Sequence, residues 1–171
     1  MAQQIELNPV SYLTVGTVGP PGQRVFYLQG SRGIDTISLI VEKEQVSIMA
    51  NSLETFLEEL EEKYPEETRD AEESILQDMR LRPPVDGLYR VGNMGLGYNE
   101  TADQIVLVAY ELVDEEEEPK VVSFWASRTQ MRALIDHARK IVAAGRPICG
   151  NCGQPIDPQG HFCPNRNGHR H

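Results

Sequence analysis

The first half of the chain alternates between short apolar runs and turn residues. Three runs are rich in β-branched and aromatic residues, at 10–18, 24–29 and 35–42. Glycine and proline separate them, which predicts three strands joined by tight turns. The period then changes, because apolar residues recur every three or four positions from Val46 to Leu60. This spacing predicts an amphipathic helix over 43–63.

The second half repeats this order after a helical insert. Pro65 suits the first turn of a helix predicted at about 65–80, which the proline pair at 83–84 follows. Three further strands are predicted at 88–94, 104–113 and 120–126. A last helix is predicted from Ser127, because Ser127 and Gln130 have the spacing of a capping box.

The two halves also share residues at matching places. Residues 15–19 and 91–95 both read V-G-x-x-G, and Ser38 precedes Gln45 by the same interval that separates Ser123 from Gln130. We therefore expect an α+β fold built from a duplicated βββα unit, 10–64 and 88–145. The expected architecture is antiparallel sheet, joined or packed about a pseudo-twofold axis, with helices on one side. Residues 1–145 would form this domain and residues 146–171 a separate tail.

Charge and length narrow the class of protein. The chain has 26 acidic and 16 basic residues, a net charge of −10, which argues against general nucleic-acid binding by the main domain. No apolar run approaches the length of about 20 residues that spans a bilayer, and the first residues do not resemble a signal peptide. A cytoplasmic protein without membrane association is expected.

The tail contains a pattern typical of zinc ligands. All three cysteines of the chain, Cys149, Cys152 and Cys163, lie within it. Two residues separate the first pair, so that one turn can direct both sulfurs at a single ion. An odd number of cysteines in a reduced compartment favours metal over disulfides. The sequence therefore predicts a structural zinc site.

The fourth ligand is open from spacing alone. His161 lies two residues before Cys163, so the two side chains share a face of an extended segment. His169 is reachable through the turn at Asn167, and His171 or water completes the set of alternatives. A water ligand would leave the zinc open for catalysis.

Other patterns have competing interpretations. Residues 92–97, from Gly92 to Gly97, suggest a phosphate loop, but they lack a Walker lysine and precede a strand, so a bulge or wide turn is favoured. Asp136 and His137 are adjacent on a helix and do not face each other, which favours a solvated histidine beside the core. The acidic run 114–118 reads as a solvated hairpin loop.

Several stretches resemble an uncharacterised actinobacterial family, domain of unknown function 3090. They are 15–24 (VGTVGPPGQR), 26–29 (FYLQ), 39–46 (LIVEKEQV), 95–98 (GLGY) and 160–164 (GHFCP). The resemblance implies no activity. It does imply neighbouring genes for a histidine-phosphatase-like protein and a phosphatidylinositol-kinase-like protein, hence an accessory or adaptor role. The family tail keeps the Gly-His-x-Cys-Pro stretch, which favours His161 as the fourth ligand.

Three hypotheses for function follow. The first is a non-enzymatic, zinc-stabilised interaction or adaptor protein of unknown pathway, with a kinase-like or phosphatase-like protein as its partner. The second is a small-molecule or metal-dependent enzyme at residues 92–97, bordered by Arg90 and Tyr98. The third is nucleic-acid binding through Arg166 and Arg170 of the tail, for which two arginines are few.

Overall fold

The computed structural model describes residues 3–20, 22–65 and 78–144. Within these residues the chain forms seven strands and two helices. The strands are β1 (Gln4–Leu7), β2 (Tyr12–Val18), β3 (Val25–Arg32), β4 (Asp35–Val41), β5 (Gly87–Asn99), β6 (Gln104–Glu111) and β7 (Val121–Ala126). The helices are α1 (Lys43–Lys63) and α2 (Arg128–Ala144). The predicted α+β class is confirmed.

All seven strands belong to one sheet, in the order β1-β7-β6-β5-β4-β3-β2. The strands β2 to β4 are antiparallel neighbours, and so are β5 to β7. Two pairs are parallel, β4 with β5 and β1 with β7. The expected antiparallel sheet is therefore mixed. β4 and β5 run in the same direction because the connection that contains α1 returns the chain across the sheet, as a parallel pair requires.

The sheet curls so that its two ends approach each other. β1 and β2 are consecutive in the chain, and the link between them bonds both ends of the sheet. Val10 donates its N–H to Trp125 O of β7 (2.8 Å), and Ser11 donates to Ser31 O of β3 (2.8 Å). Strand β1 was missed from the sequence, because four residues with one central isoleucine give no clear period.

The core lies between the concave face of the sheet and the two helices, which pack against each other. Alternate residues of the strands point into it, and each helix contributes one apolar stripe. Its largest fully buried side chains are Phe124, Leu28, Leu39, Leu53, Ile105, Leu107, Met131 and Leu134. Burying side chains of this size stabilises the fold by about 1.5–3 kcal/mol each.

Both helices begin with a capping glutamine in the third position. Glu42 donates its backbone N–H to Gln45 Oε1 (2.8 Å), and Ser127 donates to Gln130 Oε1 (2.9 Å). The Ser127 hydroxyl accepts the N–H of Gln130 in return (3.1 Å). These bonds satisfy backbone groups that a helix start leaves free. The predicted start of α2 and the predicted range of α1 are confirmed.

The outer face of β2 and β3 is covered by residues 78–82. Thr14 donates to Met79 O (2.6 Å), and Gln29 both donates to Arg82 O (3.0 Å) and accepts from Arg82 N (2.8 Å). Thr14 and Gln29 are fully buried, so these bonds offset the cost of removing them from water. Of the helix predicted at 65–80, residues 66–77 lie outside the described part, and Pro65 and residues 78–80 are not helical.

Candidate functional site: a cleft beside an unpaired strand edge

The glycine-rich stretch 92–97 lies inside a strand. It forms the middle of β5, which continues to Asn99 and is longer than the strand predicted at 88–94. The pairing with β6 slips between Val91 and Met94, which marks a bulge at Gly92 and Asn93. Residues 92–97 therefore do not have the geometry of a phosphate loop. The favoured interpretation, a bulge in a sheet, is confirmed.

One side of β5 has no strand partner over much of its length. β4 pairs with β5 at Gly87 and Arg90, and ends at Val41, where the chain turns into α1. On the other side, β5 pairs with β6 as far as Asn99. Within the described residues, no strand pairs with the β4 side of residues 92–99. We call this stretch the free edge of β5.

Helix α1 runs beside this edge and leaves a cleft of about 440 Å³. We call it the α1–β5 cleft. It is lined by Gln45, Ile48, Met49, Ser52, Gly92, Asn93, Met94, Gly95, Leu96 and Leu107. Leu107 is fully buried and forms the floor, whereas Ile48 is 62% exposed. The lining is mainly apolar, and its polar groups are the neutral side chains of Gln45, Ser52 and Asn93.

Gln45 fixes the position of α1 relative to the bulge. Its Oε1 caps the helix, and its Nε2 donates to the carbonyl oxygens of Val91 (3.0 Å) and Gly92 (3.1 Å). A single side chain thus satisfies two backbone acceptors at the bulge and sets the near end of the cleft.

A buried arginine holds the far end of α1. Arg128, in the first turn of α2, is 2% exposed. Its Nε donates to Asp103 Oδ1 (3.0 Å), and one NH2 group donates to the carbonyl oxygen of Tyr64 (2.6 Å), just after α1. The Tyr64 and Tyr98 rings lie 5.1 Å apart. Arg128 therefore ties α2 to the end of α1 and to the β5–β6 turn, which sequence reasoning did not find because the partners are distant in the chain.

Two residues expected to border the site have other partners. Arg90 forms an ion pair with Glu42 (2.5 Å), and Tyr98 donates to Asp103 (2.7 Å). Neither lines the α1–β5 cleft. Ile48 and Ser52 were not predicted from the sequence as site residues. Only Ile48 could have been found, because it is an apolar residue outside the predicted buried stripe of α1.

The predicted metal ligands lie outside the described residues. They are Cys149, Cys152, His161 and Cys163, with the alternatives His169 and His171. Within 3–20, 22–65 and 78–144, no three His, Cys, Asp or Glu side chains come together as a metal site. The zinc site therefore stays a prediction. The tail arginines Arg166 and Arg170 also lie outside.

The other polar features stand apart from the cleft. Asp136 is exposed, and His137 is half-buried on α2. Burial lowers the pKa of His137 and Lys140 lowers it further, whereas a hydrogen bond with the backbone of Val15 raises it. The acidic run 114–118 is an exposed turn between β6 and β7.

Neither described helix combines the length and apolar character that crossing a membrane requires.

The geometry defines a class of protein: a mixed α+β fold with an apolar cleft between a helix and an unpaired strand edge. The chain belongs to the family described as "Protein of unknown function (DUF3090)", whose model matches residues 5–163. No curated protein and no solved structure matches the chain. The matched range includes every residue of the cleft.

Proposed function

We propose that this protein is a non-enzymatic adaptor that binds a protein partner at the α1–β5 cleft and carries a zinc-stabilised C-terminal tail. One observation carries the proposal, the free edge of β5 beside the exposed side chain of Ile48. An unpaired edge presents backbone donors and acceptors, and an exposed apolar side chain beside it provides contact area.

The chemistry of the cleft supports binding rather than catalysis. Its lining combines aliphatic and methionine side chains with two amides and one hydroxyl. Such groups orient and bury a partner, and methionine adapts to irregular surfaces. Within the described lining, the hydroxyl of Ser52 has no histidine, carboxylate or lysine beside it that could act as its base.

The order of elements supports the proposed duplication of a βββα unit. Val15 and Val91 of the shared motif lie in β2 and β5, the first strand of each group, and Ser38 and Ser123 lie in β4 and β7, the third. The capping glutamines complete the correspondence, since each begins the helix that follows its group.

The duplication gives the cleft a counterpart within the same chain. At the offset that relates Gln45 to Gln130, Ser52 corresponds to His137. His137 bonds the backbone of Val15 in β2, so that α2 closes against this strand. Ser52 instead lines an open cleft beside β5. The same helix-and-strand junction is closed in one unit and open in the other, which supports a binding role for the open one.

For the tail we propose a structural zinc site formed by Cys149, Cys152, His161 and Cys163. Three thiolates and one imidazole form a closed tetrahedral set. The family match supports His161, because the matched residues include it and end before His169.

Metal content tests the zinc proposal. Elemental analysis of the purified chain should give one zinc per chain in the wild type and in His169→Ala, and a marked loss in His161→Ala. Loss in His169→Ala alone would reassign the fourth ligand. Retention of zinc in both variants would leave His171 or water as the fourth ligand and contradict the set with His161.

A matched pair of variants tests the adaptor function. Ile48→Glu places a charge in the cleft, and Ile34→Glu places the same charge at a remote turn where the side chain is 99% exposed. Affinity capture from the source cells should retain the same proteins with wild type and Ile34→Glu, and lose a defined subset with Ile48→Glu. Kinase-like and phosphatase-like proteins are the first to seek in that subset. If Ile48→Glu loses nothing, the proposed surface is wrong.

A second candidate is a small-molecule site in the same cleft, because a volume of about 440 Å³ lies within the range of small-ligand pockets. For this small-molecule site to be an enzyme active site, a reactive group would have to come from residues outside the described lining. Nucleic-acid binding by the tail remains a prediction that strong salt dependence would support.

A further inference from the structure

We infer that the partner presents an extended segment that adds as a strand to the free edge of β5, with alternate small apolar side chains in the α1–β5 cleft and basic residues on either side. This inference rests on the proposed function, since it names the chemistry of the partner at the same site. Addition of a strand to a sheet edge is an established way to recognise peptides.

The free edge of β5 presents backbone polar groups that no described strand pairs. In an antiparallel pair, every second residue directs its N–H and C=O away from the neighbouring strand. Between Met94 and Asn99 these groups point to the side that no described strand occupies. An extended segment provides N–H and C=O groups at the matching spacing, whereas a helix or a compact ligand does not.

The other edges of the sheet are protected. β2 is buried over residues 12–16 and α2 packs along it. β1 has four residues and carries the exposed side chain of Glu6. Short length, charge and cover are the usual means of preventing unwanted pairing at an edge.

The free edge of β5 is neither short nor charged, and α1 beside it leaves the α1–β5 cleft open. Residues 94–99 read MGLGYN, with no proline and no acidic or basic side chain. The positions that a Cβ would occupy at Gly95 and Gly97 have no heavy atom within 4 Å. The face of the sheet on which these two glycines lie is therefore open, and no side chain at either position adds bulk beside an incoming backbone.

The cleft suits the side chains on one face of such a segment. In an extended chain, every second side chain points the same way, about 7 Å apart. Ile48 and Met49 of α1 and Met94 and Leu96 of β5 line the cleft beside the edge. Small aliphatic side chains would bury Ile48, which is 62% exposed.

Charge defines the flanks of the partner segment. The cleft lining carries no charge, but Glu44 and Glu59 are exposed on α1 and Glu100 is exposed just after β5. The whole chain carries −10. Lysine or arginine on either side of an apolar centre would therefore complement the surroundings and speed association.

The test uses the full chain and a synthetic peptide, Lys-Lys-Val-Thr-Val-Thr-Val-Lys-Lys. Two N-methylated versions of the peptide are compared. Each version blocks one of the two alternate sets of backbone amides and leaves the other set free. Only one set can face β5, so one version should bind at least about tenfold more weakly and the other should bind like the parent peptide. Replacing lysine by glutamate should also weaken binding, by a factor that shrinks as salt is raised.

The variants described above provide the matched control. Peptide affinity should fall at least about tenfold in Ile48→Glu and stay within about twofold in Ile34→Glu. Amide hydrogen exchange should slow at alternate residues between Met94 and Asn99 when the peptide binds. Thermal unfolding of both variants checks that each is folded.

The outcomes separate this inference from the proposed function. Equal binding of both N-methylated peptides, or unchanged exchange in β5, overturns strand addition. The adaptor function survives that result if Ile48→Glu still loses captured proteins. Failure of the peptide to bind, together with binding of decanoate that Ile48→Glu removes, overturns the inference in favour of a small apolar ligand. Failure of the peptide, the capture and decanoate together overturns both.

Discussion

Gly30 lies where the two ends of the curled sheet approach each other. A Cβ at this position would lie 2.5 Å from Cδ1 of Phe124, whose side chain is fully buried. Real Cβ atoms do not approach carbon so closely, so either β3 or β7 would have to move. The absence of a side chain at Gly30 therefore permits β3 and β7 to approach closely at this point.

Gly30→Ala should lower the free energy of unfolding by about 1–3 kcal/mol, the usual cost of overpacking a core. Gly95→Ala is the matched control, since no heavy atom lies within 4 Å of its Cβ position. We expect its effect to stay within about 0.5 kcal/mol. Urea unfolding followed by circular dichroism measures both. Equal stability of the two variants would show that the sheet ends can separate without cost.

His137 should make stability depend on pH. Burial, the largest cause, lowers its pKa in the folded protein, so the unfolded chain takes up a proton more readily. Stability should be full above the ordinary histidine pKa of about 6.5 and should fall as the pH drops through it. Below the lowered pKa of the folded state, both states are protonated and the loss stops.

The contribution of His137 is isolated by comparing wild type with His137→Gln across about pH 8 to 5. The difference in their unfolding free energies should change in this window, with wild type losing more stability on the acid side. A difference that is flat with pH, or one of opposite sign, would contradict the assignment of the shift to burial.

At the scale of elements, Arg128 connects α2 to α1 and to the β5–β6 turn. The side chain is buried, whereas its carboxylate partners Asp103 and Glu61 remain 49% and 40% exposed. Removing the arginine therefore leaves these carboxylates hydrated, but it loses the bond to the carbonyl oxygen of Tyr64 and the packing of the arginine stem.

Arg128→Met should lower the free energy of unfolding by about 1–3 kcal/mol. Arg139→Met is the control on the same helix. Arg139 also pairs with an acidic residue of α1, Glu54, but both side chains are about half exposed, so we expect a loss of less than about 1 kcal/mol. Thermal unfolding of the two variants is compared. A larger loss of stability in Arg128→Met would show that burial of the arginine contributes more than the ion pair alone.

At the scale of the molecule, the core and the predicted zinc tail should be separable. Among the residues that the structure describes, the core runs from Leu7 to Ala138 and lies wholly before the predicted ligands. If zinc holds only the tail, chelation with EDTA should remove the metal while the main unfolding transition of the sheet stays within about 1–2 °C. Loss of the main transition on chelation would mean that the tail is part of the core.

The sequence predicted the elements better than their assembly. The range of α1 and the start of α2 agree with the structure, because helical period and capping depend on residues close together in the chain. β5 was predicted too short, because the glycines at 92, 95 and 97 read as the end of a strand. They instead lie in a bulged strand that, among the described residues, is unpaired on one side from residue 92 onward, where the lack of a side chain is tolerated.

The candidate site was predicted only in part. Residues 92–97 were identified as unusual, but the cleft depends on α1 lying beside β5, and on β4 ending where it does. Arg90 and Tyr98 were expected there, yet Glu42 and Asp103 hold them elsewhere. The predicted zinc ligands lie in residues that the structure does not describe, and remain a prediction.

By itself, the sequence determined the α+β class, most of the strands and both helix starts, since periodicity and capping act over a few residues. The tertiary structure decided the parallel junction of β4 and β5, the curl at Gly30 and the burial of Arg128. It also decided the open cleft beside Ile48. These features depend on which distant residues meet, and that is set by the packing of one shared core.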